Sequence, residues 1–186
     1  MTRQPPFADT RPAIQAAVEW AARMHADQRR DDDAPFIVHP LEAAALLSSS
    51  GFDDDVVIAG VLHDIVESTG ATLEDVRGRF GDRVASIVGA VTEDPGVADH
   101  DKRKARLREA MGEGGADAHA VYTADKISKL RELRAQVSRN PALLDDPGVQ
   151  RRLDHYERSL ETLRTVAPEL RLVDKLAFEL WALRTL

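Results

Sequence analysis

The feature that most restricts the fold of this chain is a charged pair inside an apolar segment. The pair is His63-Asp64, and the surrounding segment, 60–67, has the sequence GVLHDIVE. An imidazole beside a carboxylate within a buried helix is costly unless another group pairs with both. A bound metal ion is the most economical such partner, so the pair predicts a helical core that carries a metal site.

Two more candidate ligands flank this pair in the chain. His39 lies just before Pro40, where the backbone is biased toward extended or turn geometry, and Asp125 lies in a later predicted helix. His63 and Asp64 are about 100° apart around a helix, so one ion can contact both only if it lies between their directions. Two imidazoles and two carboxylates suit Mn²⁺, Mg²⁺, Fe²⁺ or Zn²⁺. The alternative is that these are unrelated polar residues, each satisfied by helix ends and neighbours.

Glu67 is the nearest candidate for acid–base chemistry at such an ion. It follows His63 by four residues and Asp64 by three, so it projects from the same helix face. In this position it could orient or deprotonate an attacking water. Its alternative roles are a hydrogen-bond partner of a ligand or a plain helix end.

Apolar residues recur at helical spacing along almost the whole chain. The predicted helices cover residues 12–24, 40–47, 56–67, 72–80, 82–92, 101–111, 117–137, 149–166 and 169–186. A capping box is predicted at 72–75, a break at Gly81, and a loop at 140–148. Alternating apolar residues are scarce, so no strand is predicted. The predicted fold class is all-α, a single-domain irregular helical bundle over residues 1–186.

Composition excludes several functional classes. The 186 residues include 25 Lys and Arg against 32 Asp and Glu, a net charge of −7, which argues against nucleic acid or an anionic membrane as a partner. There is no cysteine, hence no disulfide or thiolate metal site. Residues 1–10 carry no signal-peptide pattern and the longest apolar stretch, 56–62, is too short to span a bilayer, so a cytoplasmic location is expected. Glycine-rich phosphate loops and serine or cysteine nucleophile motifs are absent.

The densest basic cluster lies in the short predicted helix at 101–111. Its members are Lys102, Arg103, Lys104, Arg106 and Arg108. Such a run is most often a solvated helix face. The functional interpretation is a basic rim that attracts phosphate, for which Lys104 is the best candidate. The clusters at 29–30 and 151–152 are weaker signals.

Together these segments resemble the HD superfamily, and within it the RelA/SpoT-type guanosine polyphosphate pyrophosphohydrolases and their small stand-alone relatives. The resemblance is carried, in matching order, by HADQRR at 25–30, PFIVHP at 35–40, GVLHDIVEST at 60–69, FGDRV at 80–84, VTED at 91–94, RK at 103–104 and ADK at 124–126. It covers about residues 14–135. The predicted helices at 149–186 match less distinctly.

The resemblance implies a fold of the HD-domain type and one Mn²⁺ ion with four ligands: His39, His63, Asp64 and Asp125. It implies that Glu67 and the next residue, Ser68, serve the catalytic water. It also implies that the planar cation of Arg30 lies against the guanine face. The implied reaction removes the 3′-pyrophosphate of ppGpp and leaves GDP.

Three positions depart from the family pattern. Ser68 stands where the family usually has Asp, and a hydroxyl cannot replace a carboxylate as a base. Asp31 stands where Lys is usual, and one misplaced charge beside a polyanion is worth about 1–4 kcal/mol. Lys129, where Asn is frequent, shares a helix face with Asp125 and either contacts a phosphate or neutralises that carboxylate.

Two functions stay open at this point. The first is a metal-dependent phosphohydrolase of a phosphorylated nucleotide such as ppGpp, with Arg30, Lys104 and Lys129 at the substrate. The alternative is a metal-bearing nucleotide-binding or regulatory protein with little or no turnover, which Ser68 and Asp31 favour. Both predict a small-molecule nucleotide as the partner, and neither predicts an oligomeric state.

Overall fold

The protein folds into α-helices joined by short connections. The computed structural model describes residues 4–31 and 33–186. The helices are α1 (Pro12–Met24), α2 (Val38–Ser49), α3 (Asp54–Leu62), α4 (Ile65–Ser68), α5 (Leu73–Val91), α6 (His100–Glu113), α7 (Gly115–Arg139), α8 (Pro147–Val166) and α9 (Arg171–Arg184). Within the described residues there is no strand, only an isolated antiparallel bridge between Arg29 and Pro35. The predicted all-α class is confirmed.

Two helices form the centre of the core. In α3 every residue from Val56 to Leu62 is buried, as expected of a helix that is apolar on all sides. It packs against α1, α2, α5 and α7. Helix α7 contacts α2, α5, α6 and α9 as well, and its buried residues extend from Ala118 to Val137. Residues at the end of α3 and in the middle of α7 are therefore held inside the protein. None of the helices described is both long and apolar enough to cross a membrane.

The predicted continuous helix at 56–67 is wrong in one respect. Helix α3 ends at Leu62 and α4 begins at Ile65, so His63 and Asp64 fall in a break between them. Asp64 has φ −95° and ψ −2°, in the sparsely populated bridge region where many active-site residues lie. Because the helix is interrupted here, two adjacent side chains can turn toward one point.

Other boundaries follow local chemistry. The capping box is present, with Thr72 and Asp75 bonding each other's backbone N–H groups. Gly81 has φ +90°, a conformation that glycine adopts readily, and it interrupts α5 where the break was predicted. Helix α2 begins at Val38 rather than Pro40, since a proline is tolerated in the first turn, where its missing N–H is not needed. The predicted loop at 140–148 contains a short 3-10 turn at Pro141–Asp145.

Candidate metal centre

Four buried side chains from three parts of the chain meet at one point. His39 comes from the first turn of α2, His63-Asp64 from the break after α3, and Asp125 from the middle of α7. His39 Nε2 lies 3.1 Å from His63 Nε2. It also lies 3.3 Å from Asp64 Oδ2 and 3.0 Å from Asp125 Oδ1. His63 Nε2 lies 3.4 Å from each of these two oxygens.

These separations fit a single bound cation. A metal that binds nitrogen and oxygen at about 2.0–2.2 Å holds neighbouring donor atoms roughly 2.8–3.6 Å apart. His39, His63 and Asp125 each offer one donor atom within 4.8 Å of the others, and Asp64 adds a second carboxylate beside both imidazoles. Asp125 Oδ1 is buried, and its nearest polar neighbours are Lys129 Nζ at 2.8 Å and His39 Nε2 at 3.0 Å. A metal ion bound here would take that oxygen as a ligand.

Both imidazoles are oriented by hydrogen bonds on the side away from this point. His63 Nδ1 donates to the carbonyl oxygen of Gly60 at 2.8 Å. His39 Nδ1 lies 2.9 Å from Ser128 Oγ, whose own proton goes to Glu42 Oε2 at 2.7 Å. The Ser128 oxygen therefore accepts from His39. In both rings Nε2 is left facing the shared point, which is the arrangement of metal-binding histidines.

The two carboxylates at this point are ionised. Burial disfavours a charged His63, but Asp64 and Asp125 outweigh burial and raise its pKa to about 10. Burial alone would raise the pKa of Asp125, yet the ammonium groups of Lys126 and Lys129 hold it well below its ordinary value. The carboxylates are thus ionised, and Lys126, Lys129 and a protonated His63 are their positive partners. A metal ion would replace the additional imidazole proton.

Two lysines contact Asp125 from different sides. Lys126 Nζ lies 2.5 Å from Asp125 Oδ2 and 4.2 Å from the centre of the Tyr122 ring. Lys129 Nζ lies 2.8 Å from Asp125 Oδ1 and 3.9 Å from Asp64 Oδ1. Lys129 also lines the neighbouring cavity.

A cavity of about 330 Å³ adjoins the metal centre at His39. Its volume is within the range of small-molecule sites, which begins at about 300 Å³. The basic residues that line it are Arg29, Arg30, Lys104, Lys126, Lys129 and Arg152, and the acidic ones are Asp31 and Glu132. This excess of positive charge, on a chain whose net charge is −7, suits an anionic ligand.

The three residues predicted at the substrate all lie on this cavity, and each has a carboxylate partner. Arg30 NH2 lies 3.1 Å from Glu132 Oε2, and its side chain is only 7% exposed. Lys104 forms an ion pair with Glu93, two residues after the end of α5. Lys129 is paired with Asp125, as described above.

Asp31, whose charge was predicted to weaken nucleotide binding, also lines the cavity. Its Oδ2 lies 3.7 Å from NH1 of Arg152 in α8. The charge reversal at this position is therefore partly offset by a basic residue from a distant part of the chain.

The predicted catalytic pair, Glu67 and Ser68, is exposed at the end of α4. Glu67 Oε2 accepts a hydrogen bond from the backbone N–H of Glu93 at 3.3 Å. The backbone oxygen of Ser68 accepts one from Gln28 Nε2 at 2.6 Å. Neither residue lines the 330 Å³ cavity. The structure thus places them directly after the ligands in the chain but outside the cavity lining.

Three lining residues come from α8, where the sequence shows only the weak basic signal at 151–152: Arg152, His155 and Tyr156. Their spacing of i, i+3 and i+4 marks one helix face, and the basic cluster at 151–152 is the only chemical signal nearby. The fold brings α8 against α6 and α7, and this long-range packing has no local sequence signature.

Several known proteins are similar to this chain in sequence. The pattern that defines the HD domain family matches residues 17–145. The chain is 44% identical over 80 residues to the guanosine-3′,5′-bis(diphosphate) 3′-pyrophosphohydrolase of Aquifex aeolicus, which is 43% of this chain but only 12% of that protein. It is 37% identical over 121 residues to the human enzyme of that name, MESH1, which is 63% of this chain and 67% of that protein.

Solved structures extend the likeness to the whole fold. One described as a metazoan ortholog of SpoT that hydrolyses ppGpp has a TM-score of 0.73 and 26% identity, over 96% of both chains. The Listeria monocytogenes protein lmo0812 has a TM-score of 0.70 and 28% identity, over 80% of this chain and 98% of that one. HD-domain hydrolases use divalent metal ions, and the buried His/Asp cluster is a candidate site for one. The match over residues 17–145 shows that this chain belongs to the HD domain family.

Proposed function

We propose that this chain is a divalent-metal-dependent phosphohydrolase that removes the 3′-pyrophosphate of ppGpp and leaves GDP. The observation that carries the proposal is the buried His/Asp cluster directly beside a cavity with a mainly basic wall. The Aquifex and human relatives, whose names state this activity, support a guanosine polyphosphate as the substrate.

The proposed ligands of the ion are His39, His63, Asp64 and Asp125. A mixed set of nitrogen and oxygen donors without a thiolate suits an open catalytic site rather than a closed structural zinc site. We propose Mn²⁺ from the family resemblance, with Mg²⁺, Fe²⁺ and Zn²⁺ as alternatives. When bound, such an ion polarises a phosphoryl oxygen and lowers the pKa of a coordinated water.

The basic wall is the proposed binding surface for the nucleotide. Lys104 and Lys129 lie on the cavity with their ammonium groups held by carboxylates, so the substrate would meet cations that are already positioned. Arg30 is fixed by Glu132, and we assign its guanidinium plane to the guanine ring. Fixing these side chains in advance reduces the entropy lost on binding.

Glu67 is the proposed acid–base residue. It follows the ligand pair by one turn, and one of its carboxylate oxygens is fixed by the N–H of Glu93. The other oxygen can then orient or accept a proton from the attacking water. Ser68 supplies no second carboxylate, so we assign the proton transfer to Glu67, with Ser68 beside it.

The test is the product pattern of the metal-loaded protein with ppGpp, resolved by anion-exchange chromatography. We expect GDP and pyrophosphate from the wild type and neither from His63→Ala. His119→Gln is the matched control, because His119 is also buried but contacts Gly112 instead of the cluster. Release of GDP by His63→Ala at the wild-type rate would refute the proposal.

The second candidate is a metal-bearing nucleotide-binding protein with little turnover. The hydroxyl at Ser68 favours it, because the family usually has a carboxylate there. Calorimetry separates the two functions. Heat from stoichiometric ppGpp binding, with the nucleotide recovered intact, supports the second candidate, whereas steady-state release of GDP eliminates it.

A further inference from the structure

A second, smaller cleft lies between α6 and α8, beside the nucleotide cavity. Its volume is about 70 Å³, several times the roughly 10–15 Å³ that one water needs. His100, Lys104 and His155 line both spaces, so the two share a wall. We call this space the α6–α8 cleft.

The α6–α8 cleft carries an excess of positive charge. All of its lining residues are ionisable; the cations are Lys104, Arg108, Arg151 and Arg158, and the anions are Asp101 and Asp154. In the part of the chain that the structure describes, none of the three arginines forms an ion pair with a carboxylate. Asp101 attracts Arg151 and Arg158 without an ion-pair contact, and the three arginines still exceed the two carboxylates of the cleft by one charge.

Arg108 is held in place without being neutralised. Its NH1 lies 2.8 Å from His155 Nδ1. Because a guanidinium only donates hydrogen bonds, His155 must accept through this nitrogen and must be uncharged. Burial and then the nearby Lys126 lower the pKa of His155 to about 2, in agreement with that state. A neutral partner fixes the position of Arg108 and leaves its full positive charge facing the cleft.

A buried network fixes the orientation of His155. Ser159 Oγ donates to the backbone oxygen of His155 at 2.8 Å, so it accepts from the Tyr122 hydroxyl, also at 2.8 Å. The Tyr122 oxygen is then the acceptor for His155 Nε2, 3.4 Å away. With its proton on Nε2, the ring keeps the Nδ1 lone pair toward Arg108. His155 is thus fixed in the core, and it holds the half-buried Arg108 from the core side.

We propose that the α6–α8 cleft binds a phosphate or diphosphate group, separate from the one at the metal centre. Arginine forks match the oxygen geometry of such groups, and the shared Lys104 places this anion next to the nucleotide cavity. The group is either the second phosphate chain of the nucleotide or a free inorganic anion. This inference goes beyond the proposed function, because it concerns binding and does not require hydrolysis.

The test measures the melting temperature of the full chain in increasing inorganic phosphate, with potassium chloride of equal ionic strength as the reference. An anion that binds the native state stabilises it in proportion to ln(1 + [L]/Kd). The test variant combines Arg151→Gln with Arg158→Gln. The control combines Arg164→Gln with Arg171→Gln, which removes the same charge from exposed positions that line neither space.

We expect a phosphate-dependent rise in melting temperature in the wild type and the control. In the test variant we expect the rise in melting temperature to be at most half as large. The affinity of the cleft for phosphate should fall by about tenfold or more. The remaining rise comes from phosphate at the metal centre. A test variant that responds to phosphate as strongly as the wild type would overturn the proposal, whether or not the protein hydrolyses ppGpp.

Steady-state kinetics then identify the source of the anion. If the nucleotide's own 5′ phosphates occupy the cleft, the test variant has a raised KM for ppGpp but an unchanged KM for guanosine 3′-diphosphate. If a free anion occupies it, the KM for ppGpp measured without phosphate is unchanged, and the effect of added phosphate on the rate is lost. Either pattern, with the reduced thermal response, supports the site.

Discussion

His39 Nε2 lies 3.1 Å from His63 Nε2, although 24 residues separate the two histidines in the chain. Ser128 and Gly60 hold the two rings from behind, so neither can rotate away without losing a buried hydrogen bond. Two lone pairs at this distance repel each other unless a proton or a metal ion lies between them. Asp64 and Asp125 beside both rings supply the oxygen donors that a metal ion at this point would bind.

The first prediction concerns removal of a ligand charge. Asp125→Asn keeps the shape of the side chain but removes its charge, so we expect metal affinity to fall by more than the roughly 10–100-fold typical of losing an outer hydrogen-bond partner. Metal content after gel filtration, measured by mass spectrometry, checks this result. Asp117→Asn, a half-buried position on the same helix whose carboxylate pairs with Arg83 instead of the cluster, is the control. Equal metal content in the two variants would contradict the assignment.

The second prediction concerns the support behind His39. Ser128→Ala removes the oxygen that orients the ring, and we expect metal binding to weaken by about 10–100-fold. Competition with a fluorescent chelator gives the affinity. Ser138→Ala on the same helix removes an exposed hydroxyl that bonds only its own helix, and it should leave the affinity unchanged. If both variants bind metal as tightly as the wild type does, Ser128 does not support His39 as a ligand.

The third prediction concerns Lys129, whose ammonium lies 2.8 Å from Asp125 Oδ1. A like charge this close opposes a divalent ion, so Lys129→Asn should tighten metal binding. A unit charge is worth roughly 1–4 kcal/mol, and the lower end applies because the side chain is 35% exposed, so we expect a gain of about five- to tenfold. Calorimetric titration with Mn²⁺ measures it, with exposed Lys175→Asn as the control. Weaker binding in Lys129→Asn would show that the lysine supports the site.

The fourth prediction concerns the missing carboxylate. Ser68→Asp restores the acidic residue that the family usually carries after Glu67, and positioned acid–base groups contribute about 10²–10⁴-fold to rates. We therefore expect at least a tenfold gain in ppGpp hydrolysis, measured as initial rates of GDP formation. Ser68→Asn, of similar size but without ionisable oxygen, should give no gain. Equal rates in the two variants would show that a carboxylate at this position has no role in the reaction.

The fifth prediction concerns the packing that brings the ligands together. A Cβ on Gly60 would lie 2.5 Å from Leu47 Cδ1, so Gly60→Ala must displace the buried Leu47 side chain of α2, the helix that carries His39. Overpacking of this kind costs about 1–3 kcal/mol. Urea unfolding should show this loss, together with weaker metal binding. Gly78→Ala, in a helix position with open space around it, should instead stabilise the protein by about 0.5–1 kcal/mol.

The sequence predicts the helical fold and the ligand set because both depend on local signals. Apolar spacing marks the helices, and the capping box at Thr72 and the glycine at 81 mark boundaries that the structure reproduces. The break at His63-Asp64 was missed because the apolar residues continue across it without a proline or glycine. It forms where tertiary contacts from α2 and α7 override the local helical preference.

The surroundings of the site are set by long-range packing and were less predictable. Arg152, His155 and Tyr156 reach the cavity only because α8 folds back against α6 and α7. The pairing of Asp31 with Arg152 likewise joins two distant parts of the chain. For Glu67 and Ser68 the catalytic role remains a prediction. It is supported by the position of these two residues directly after the ligand pair.

The most direct test of the central claim is a crystal structure of the protein grown with Mn²⁺, with anomalous scattering measured at the manganese absorption edge. The account predicts one strong anomalous peak bonded to Nε2 of His39 and His63 and to oxygens of Asp64 and Asp125. A crystal at saturating Mn²⁺ with no peak among these four side chains would contradict it.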